Sequence, residues 1–312
     1  MPVPEVSPLR LEGAELAFYS ADERAALRLS AGDGHTQSEV AIKPILRNAW
    51  VVGDVVYGNN TAYEGGPSSL GVFRPRENVG WVTGNNVTER VTAASEGYVV
   101  AGRQLLKRED MAIVVEYPNI VLTPRPDMIL VCDHDGRQAA VDPKTTGVYW
   151  KVGTCSGLVA TDTKYGARIA TSAVELFRLS TGETVWSRPI AGAVHAPRWG
   201  FSPIGIDEGR IYVATDRGIT ATSLEGDSLW TSEPRGPLVA GGGAVVVATG
   251  YGLRVLDGES GRVRYDVKLD GDPKAGVRIV IGDGKLFVRT DDDVSALDLV
   301  KGTVVWREDI DA

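Results

Sequence analysis

Residues Asp283 to Trp306 read DGKLFVRTDDDVSALDLVKGTVVW, and the rest of the chain repeats the grammar of this stretch. Leu286, Phe287 and Val288 form a β-favouring run, Thr290 to Asp293 a polar turn, and Val294 to Leu297 a second run. Lys301-Gly302 then turns the chain into Val304-Val305-Trp306. A glycine followed four positions later by an aromatic recurs at Gly182/Trp186, Gly226/Trp230, Gly261/Tyr265 and Gly302/Trp306, with Gly147/Trp150 one residue shorter. Successive aromatics lie 35 to 44 residues apart, and no long amphipathic helical pattern interrupts them.

That period belongs to radial repeats, so the sequence predicts an all-β fold: a β-propeller of four-stranded antiparallel blades, eight by this reading, with seven as the alternative. One ring consumes all 312 residues, which makes 1–312 a single domain. Upstream of residue 120 the units are worn. Glu15 to Leu29 reads as the outer hairpin of the first blade, and Val3 to Leu11 offers material for one inner strand, so incomplete closure is expected at that edge. Trp50 to Val52 and Val55 to Tyr57 read as the inner pair of the second blade, with Leu70 to Phe73 and Val79 to Val82 outside them. The third runs from Arg90 to Tyr117 and lacks the aromatic signature of the repeat.

The wording of the later units carries a family likeness. Ala140-Val141-Asp142-Pro143-Lys144-Thr145-Thr146-Gly147-Val148-Tyr149-Trp150, Arg254 to Gly261 and Ala296 to Trp306 resemble the Ala-x-Asp-x-x-Thr-Gly-x-x-x-Trp repeat of the PQQ-like, or quinoprotein-type, β-propellers. The resemblance spans residues 120 to 312. Physically, the Asp satisfies backbone N–H groups at a turn, the Gly accepts positive φ, and the Trp buries a large ring while its N–H finds a partner. Trp150, Trp186, Trp230 and Trp306 are therefore assigned to structure. In the quinoprotein dehydrogenases the resemblance would imply a quinone held by an adjacent cysteine pair and a bound calcium. This chain has no adjacent cysteines, so none of their functional residues carries over and no cofactor is expected. The likeness is to the barrel-assembly scaffold propeller and the sensor propellers of the family.

A formal charge of −8, from 41 acidic and 33 basic residues, argues against a nucleic-acid or anionic-membrane surface. No run approaches the ~18 apolar residues of a membrane span, and the first residues lack the basic and apolar regions of a leader. The default expectation is a cytoplasmic monomer, with a mature exported protein as the other reading. Cys132 and Cys155 have no metal-ligand spacing, and two buried free thiols are favoured over a disulfide.

In a propeller the D-to-A connectors and B-to-C turns line the axial mouth, and the C-to-D turns face the other way. By that logic the mouth receives Gly32 to Glu39, Thr83 to Arg90, Tyr117 to Thr123, Gly153 to Gly157, Ala191 to Phe201, Arg235 to Val239 and Asp270 to Val277. The richest is Ala191 to Phe201, which groups His195, Arg198, Trp199 and Phe201. Its ordinary reading is a long irregular connector. Its functional reading is a ligand site, with Asn85, Asn86, Arg90 and His35 converging on the same mouth. Asp133-His134-Asp135-Gly136 reads as hairpin-turn chemistry, and no metal is expected. No GxSxG, phosphate-loop or HExxH motif occurs. Two functions stay open: a non-catalytic scaffold or binding protein engaging a protein partner or small ligand at the axial face, or a lyase, cyclase or isomerase with His195 as acid–base and Arg198 as anion clamp.

Overall fold

The computed structural model describes residues 8–20, 23–42, 46–60, 69–74, 91–94, 97–125, 127–197, 200–250, 252–269, 277–290 and 292–310. These residues form eight antiparallel sheets, seven of them four-stranded and one described through three strands. Blade 1 comprises Arg10–Glu12, Glu15–Ser20, Ala25–Ser30 and Thr36–Ala41; blade 2 comprises Leu46–Val52, Val55–Asn60 and Ser69–Phe73. Blade 3 is Val91–Ala94, Tyr98–Ala101, Gln104–Lys107 and Ile113–Glu116; blade 4 is Asn119–Arg125, Met128–Cys132, Gln138–Val141 and Val148–Val152. Blade 5 is Val159–Thr161, Tyr165–Ala170, Ala173–Arg178 and Thr184–Pro189; blade 6 is Ile204–Asp207, Arg210–Thr215, Gly218–Ser223 and Ser228–Ser232. Blade 7 is Leu238–Gly241, Ala244–Thr249, Gly252–Asp257 and Val263–Lys268; blade 8 is Arg278–Gly282, Lys285–Arg289, Asp293–Asp298 and Val304–Asp309. Within each blade the strands run A to D in chain order.

The eight-bladed ring predicted from the repeat is thus what forms, and four expectations are corrected. Glu15–Ser20 and Ala25–Ser30 are the middle strands B and C of blade 1, not its outer pair. The outer strand is TQSEVA, too polar to announce itself, and the inner strand is three residues long. Gly32 to His35 therefore sits in a C-to-D turn, and Asn119–Arg125, read as part of a mouth connector, begins blade 4 as its inner strand. The ring also closes. Leu16, Phe18 and Leu27 of blade 1 share one core cluster with Phe287, Val294, Ala296 and Trp306 of blade 8. Across the same seam Arg289 donates to the carbonyl of Tyr19 at 2.8 Å and lies 4.5 Å over the ring of Phe18. Val79 to Val82 lies outside the described residues.

Middle strands carry the core because each is sandwiched between two neighbouring blades. Ala244 to Ala248 in blade 7 is buried at every position, whereas the outer strand Val263–Lys268 has no fully buried residue. Between blades the aromatics act as plugs. The indole N–H of Trp150 donates to Leu179 O at 2.8 Å, Trp186 to Leu224 O at 2.7 Å, Trp230 to Gly258 O at 3.1 Å, and Trp306 to Ala31 O at 3.2 Å. Tyr265 makes the equivalent bond through its hydroxyl, to Asp298 O at 3.2 Å, and burial pushes its pKa up to about 12. Each ring rests on the C-to-D turn of the next blade, where the αL glycine leaves space: a Cβ on Gly182 would stand 2.5 Å from Trp150 and one on Gly302 2.4 Å from Tyr265.

The short Gly147/Trp150 spacing has a physical reason. In blade 4 the αL position is held by Thr146, with φ of 60°, so the four-residue interval to Trp150 is kept. A side chain is tolerated there because blade 3 sends no aromatic; Val115, paired with Leu105, stands at its plug position.

Candidate functional site

Three segments of the mouth face enclose a pocket of about 510 Å³ between blades 4, 5 and 6. The connector into blade 5 contributes Cys155, Ser156, Gly157 and Leu158, the B-to-C turn of blade 5 contributes Thr171 and Ser172, and the connector into blade 6 contributes Ile190 and Gly192 to Val194. Ile169 closes the floor.

The first wall is fixed by a disulfide, which corrects the expectation of two free thiols. Cys132 ends strand B of blade 4, and the connector folds back over it so that the Cys155 N–H donates to Gly136 O at 2.9 Å. That return brings the two Cα atoms to 5.3 Å, and the sulfurs are joined. Gln138, fully buried beside them, accepts from the N–H of Ser156 at 3.2 Å. The Ser156 hydroxyl accepts from Leu158 N–H at 3.1 Å and donates to Ile169 O at 2.5 Å, tying the connector to strand B of blade 5.

The third wall is sewn onto blade 6. Val194 forms an antiparallel bridge with Thr215, Asp216 N–H donates to Ala193 O at 2.8 Å, and the Asp216 carboxylate accepts from Ala193 N–H at 3.0 Å. Gly192, at φ of 103°, is required here, because a Cβ would fall 2.3 Å from that carboxylate oxygen. The connector then crosses to blade 7, where Ser202 and Leu238 exchange backbone hydrogen bonds at 3.0 and 2.7 Å.

Against this geometry the sequence candidates separate. His195 lies on the mouth face, its N–H donating to Ala214 O at 3.2 Å, but it does not line the pocket. Its ring is half-buried, and Nε2 has neither solvent contact nor a hydrogen-bond partner. Phe201 is 1% exposed and packs with Val246, Val255, Leu286 and Val288 of blades 7 and 8, so its ring serves the core. His35 sits in the C-to-D turn of blade 1, on the face opposite His195, and does not converge with it. Arg198, Trp199, Asn85, Asn86 and Arg90 lie outside the described residues. Sequence reasoning missed Ser156, Leu158, Thr171, Ser172, Ile190 and Val194, which belong to no motif; their only signal is membership of connectors and turns on one face.

Asp133 is engaged in turn chemistry, as read from the sequence. Its carboxylate accepts from the N–H groups of Asp135 and Arg137 at 2.9 and 2.8 Å and pairs with Lys151. Burial works against the charged form, yet these partners outweigh it and hold its pKa below the usual carboxylate value. Among the described residues no cluster of three or more His, Cys, Asp or Glu side chains is arranged to hold a metal. No described helix is long and apolar enough to cross a membrane.

Comparison with known proteins agrees with the repeat. Residues 170–312 match the family model described as outer membrane protein assembly factor BamB. No curated protein matches the chain significantly in sequence. Among solved structures, a computationally designed protein, Ika8, is 12% identical with a TM-score of 0.63, over 97% of this chain and 95% of that one. The dihydro-heme d1 dehydrogenase NirN in complex with DHE is 13% identical with a TM-score of 0.65, over 99% and 77% of the two chains. AztD from Citrobacter koseri, in its apo form, is 15% identical with a TM-score of 0.55, over 94% of each. Residues 170–312 thus carry the PQQ-like repeat, and the described residues of the chain form an eight-bladed β-propeller.

Proposed function

We propose that the protein is a non-catalytic binding propeller that takes a neutral, largely apolar small molecule or protein segment at the mouth-face pocket. The observation that carries this reading is the pocket's lining. It pairs Leu158, Ile169, Ile190 and Val194 with hydroxyls and backbone groups, and none of the described side chains that line it is ionisable. A volume of about 510 Å³ lies within the range of small-ligand sites, and such a lining offers shape and hydrogen bonds without an acid, a base or a nucleophile. The enzyme alternative rests on His195 and Arg198, and the shielded Nε2 of His195 gives it no support. The solved neighbours share the fold alone, and they range from a designed protein to one titled a dehydrogenase, so function must come from this site.

The disulfide adds a compartment to the proposal. Such bonds form and persist in oxidising surroundings, so we place the working protein outside the reducing cytosol. Thiol trapping in intact cells tests this: Cys132 and Cys155 should resist alkylation until a reductant is added, and rapid labelling without reductant would contradict it.

Native mass spectrometry of the purified chain tests the pocket. A retained small molecule or a stable protein partner should be lost in Ser172→Trp, where an exposed turn residue projects a ring into the pocket. Retention in Ser172→Trp together with loss in His195→Leu would overturn the proposal in favour of the enzyme reading.

A further inference from the structure

One wall of the mouth pocket holds a residue in a backbone conformation that its side chain disfavours. Thr171 and Ser172 are the two loop residues of the hairpin between strands B and C of blade 5, which closes on the pair Ala170 and Ala173. Thr171 has φ of 54°. A positive φ at the first position of such a loop is ordinarily met by glycine, and the corresponding turn of blade 3 has Gly102 there, at φ of 55°. A β-branched residue in this left-handed region is strained.

The other threonine with positive φ among the described residues, Thr146, uses its hydroxyl inside the protein, donating to Thr145 O at 2.6 Å. The hydroxyls of Thr171 and Ser172 have no partner among the described residues, and both residues stand exposed at the pocket's lip. The polar groups around them are engaged. The Ser156 hydroxyl is taken by Leu158 and Ile169, the carbonyl of Leu158 accepts from Ile169 N–H at 3.0 Å, and that of Ala193 accepts from Asp216. Ser172 O accepts from Ile190 N–H at 2.8 Å, which fastens the connector into blade 6 to the turn. The two free hydroxyls are thus set in place before a ligand arrives.

We propose that Thr171 and Ser172 determine the specificity of the mouth pocket, selecting a neutral small molecule whose apolar body ends in a carbonyl group. This selection presupposes the binding role given to the pocket above. A carbonyl oxygen has two lone pairs, which two neighbouring hydroxyls can fill together, whereas one ligand N–H or O–H would use a single hydroxyl. Leu158, Ile169, Ile190 and Val194 hold the body. The strain at Thr171 is kept because glycine, which would relieve it, carries no hydroxyl.

Fluorescence titration of the full chain with prodan, a neutral naphthalene bearing a propionyl carbonyl, tests the assignment. Dimethylaminonaphthalene supplies the same ring system without the carbonyl. The wild type should bind prodan about fivefold more tightly than this analogue. Thr171→Val, which keeps the shape, and Ser172→Ala should each weaken prodan about threefold and leave the analogue unchanged. Emission of bound prodan should lie further to the red in the wild type than in Thr171→Val, because its carbonyl accepts a hydrogen bond. Thr171→Gly should weaken prodan likewise, yet raise the unfolding midpoint by about 1–2 °C as the strain is relieved. Equal binding of the two probes to the wild type, or full prodan affinity in both Thr171→Gly and Ser172→Ala, would overturn the selection and leave the pocket standing. Binding of neither probe to the wild type would overturn the selection together with the pocket's binding role.

Discussion

Trp306, on the last strand of the ring, lies against Gly34 in the first blade: a Cβ on Gly34 would stand 2.6 Å from the indole. The same indole donates to Ala31 O, so the aromatic repeat closes the circle even though blade 1 has no aromatic of its own. Trp306→Ala should cost about 3–5 kcal/mol, as for other large buried side chains. Gly34→Ala should cost more than the ~1–2 kcal/mol of an αL alanine, because the methyl also meets the ring. Urea unfolding of the full chain measures both. Hydrogen exchange should rise first in Glu15–Ser30 and Lys285–Asp298, the two sides of the seam, and equal rises in blades 4 to 6 would show that the closure is not local.

The Cys132–Cys155 bridge encloses a loop of 23-residue separation. Its removal in a Cys132→Ser/Cys155→Ser variant should lower stability by about 3 kcal/mol through the larger entropy of the unfolded chain. The double variant should be indifferent to reductant, whereas the wild type should lose a similar amount when reduced. Because Cys155 lines the mouth pocket, reduction should also weaken ligand retention there.

Asp257, at the C-to-D turn of blade 7, accepts from Arg264 at 2.9 Å and from the backbone and hydroxyl of Ser260 at 2.8 and 2.7 Å. Arg264, then Ser260, holds its pKa down to about 2 from an ordinary 3.8. A carboxylate depressed in the folded state adds stability above its unfolded pKa, and that share is lost as pH falls through the folded value. Stability attributable to this turn should therefore be full above about pH 4 and fade toward pH 2. Asp257→Asn should be less stable at neutral pH and show a shallower acid loss over that window. An acid profile parallel to that of the wild type would show that the turn does not titrate in this way.

Architecture was legible in the sequence because the repeat is written in the residues that make it. Asp298, Gly302 and Trp306 appear as a motif since each performs one fixed job at a turn or seam. Even the irregular Gly147/Trp150 interval resolves once Thr146 is seen in the αL position. Blade 1 was misassigned because its outer strand is polar, and Arg28 with Ser38 replaces the pair that would have marked it. The candidate site was less legible for a related reason. Chemistry was sought in His195 and Phe201, which stand out as residue types, but the pocket is walled by Ser156, Leu158, Ser172 and Val194, which acquire meaning only when two connectors and a turn meet. The disulfide was missed because 23 positions of separation say nothing of a connector that doubles back over its own blade.

His195 and Phe201 come from one connector and should respond oppositely to mutation. Phe201 is 1% exposed in the core of blades 7 and 8, so Phe201→Ala should cost about 3–5 kcal/mol. At His195 the Nε2 atom is buried without a partner, a state that costs stability whenever water cannot replace the bond. His195→Leu keeps the bulk and removes that atom, so it should leave the unfolding midpoint unchanged or raise it. Ligand retention in the mouth pocket should survive, since the imidazole does not line it. A loss of more than about 1 kcal/mol in His195→Leu would mean that the ring makes a hydrogen bond in solution. Loss of a retained ligand in the same variant, with stability intact, would return His195 to the functional site.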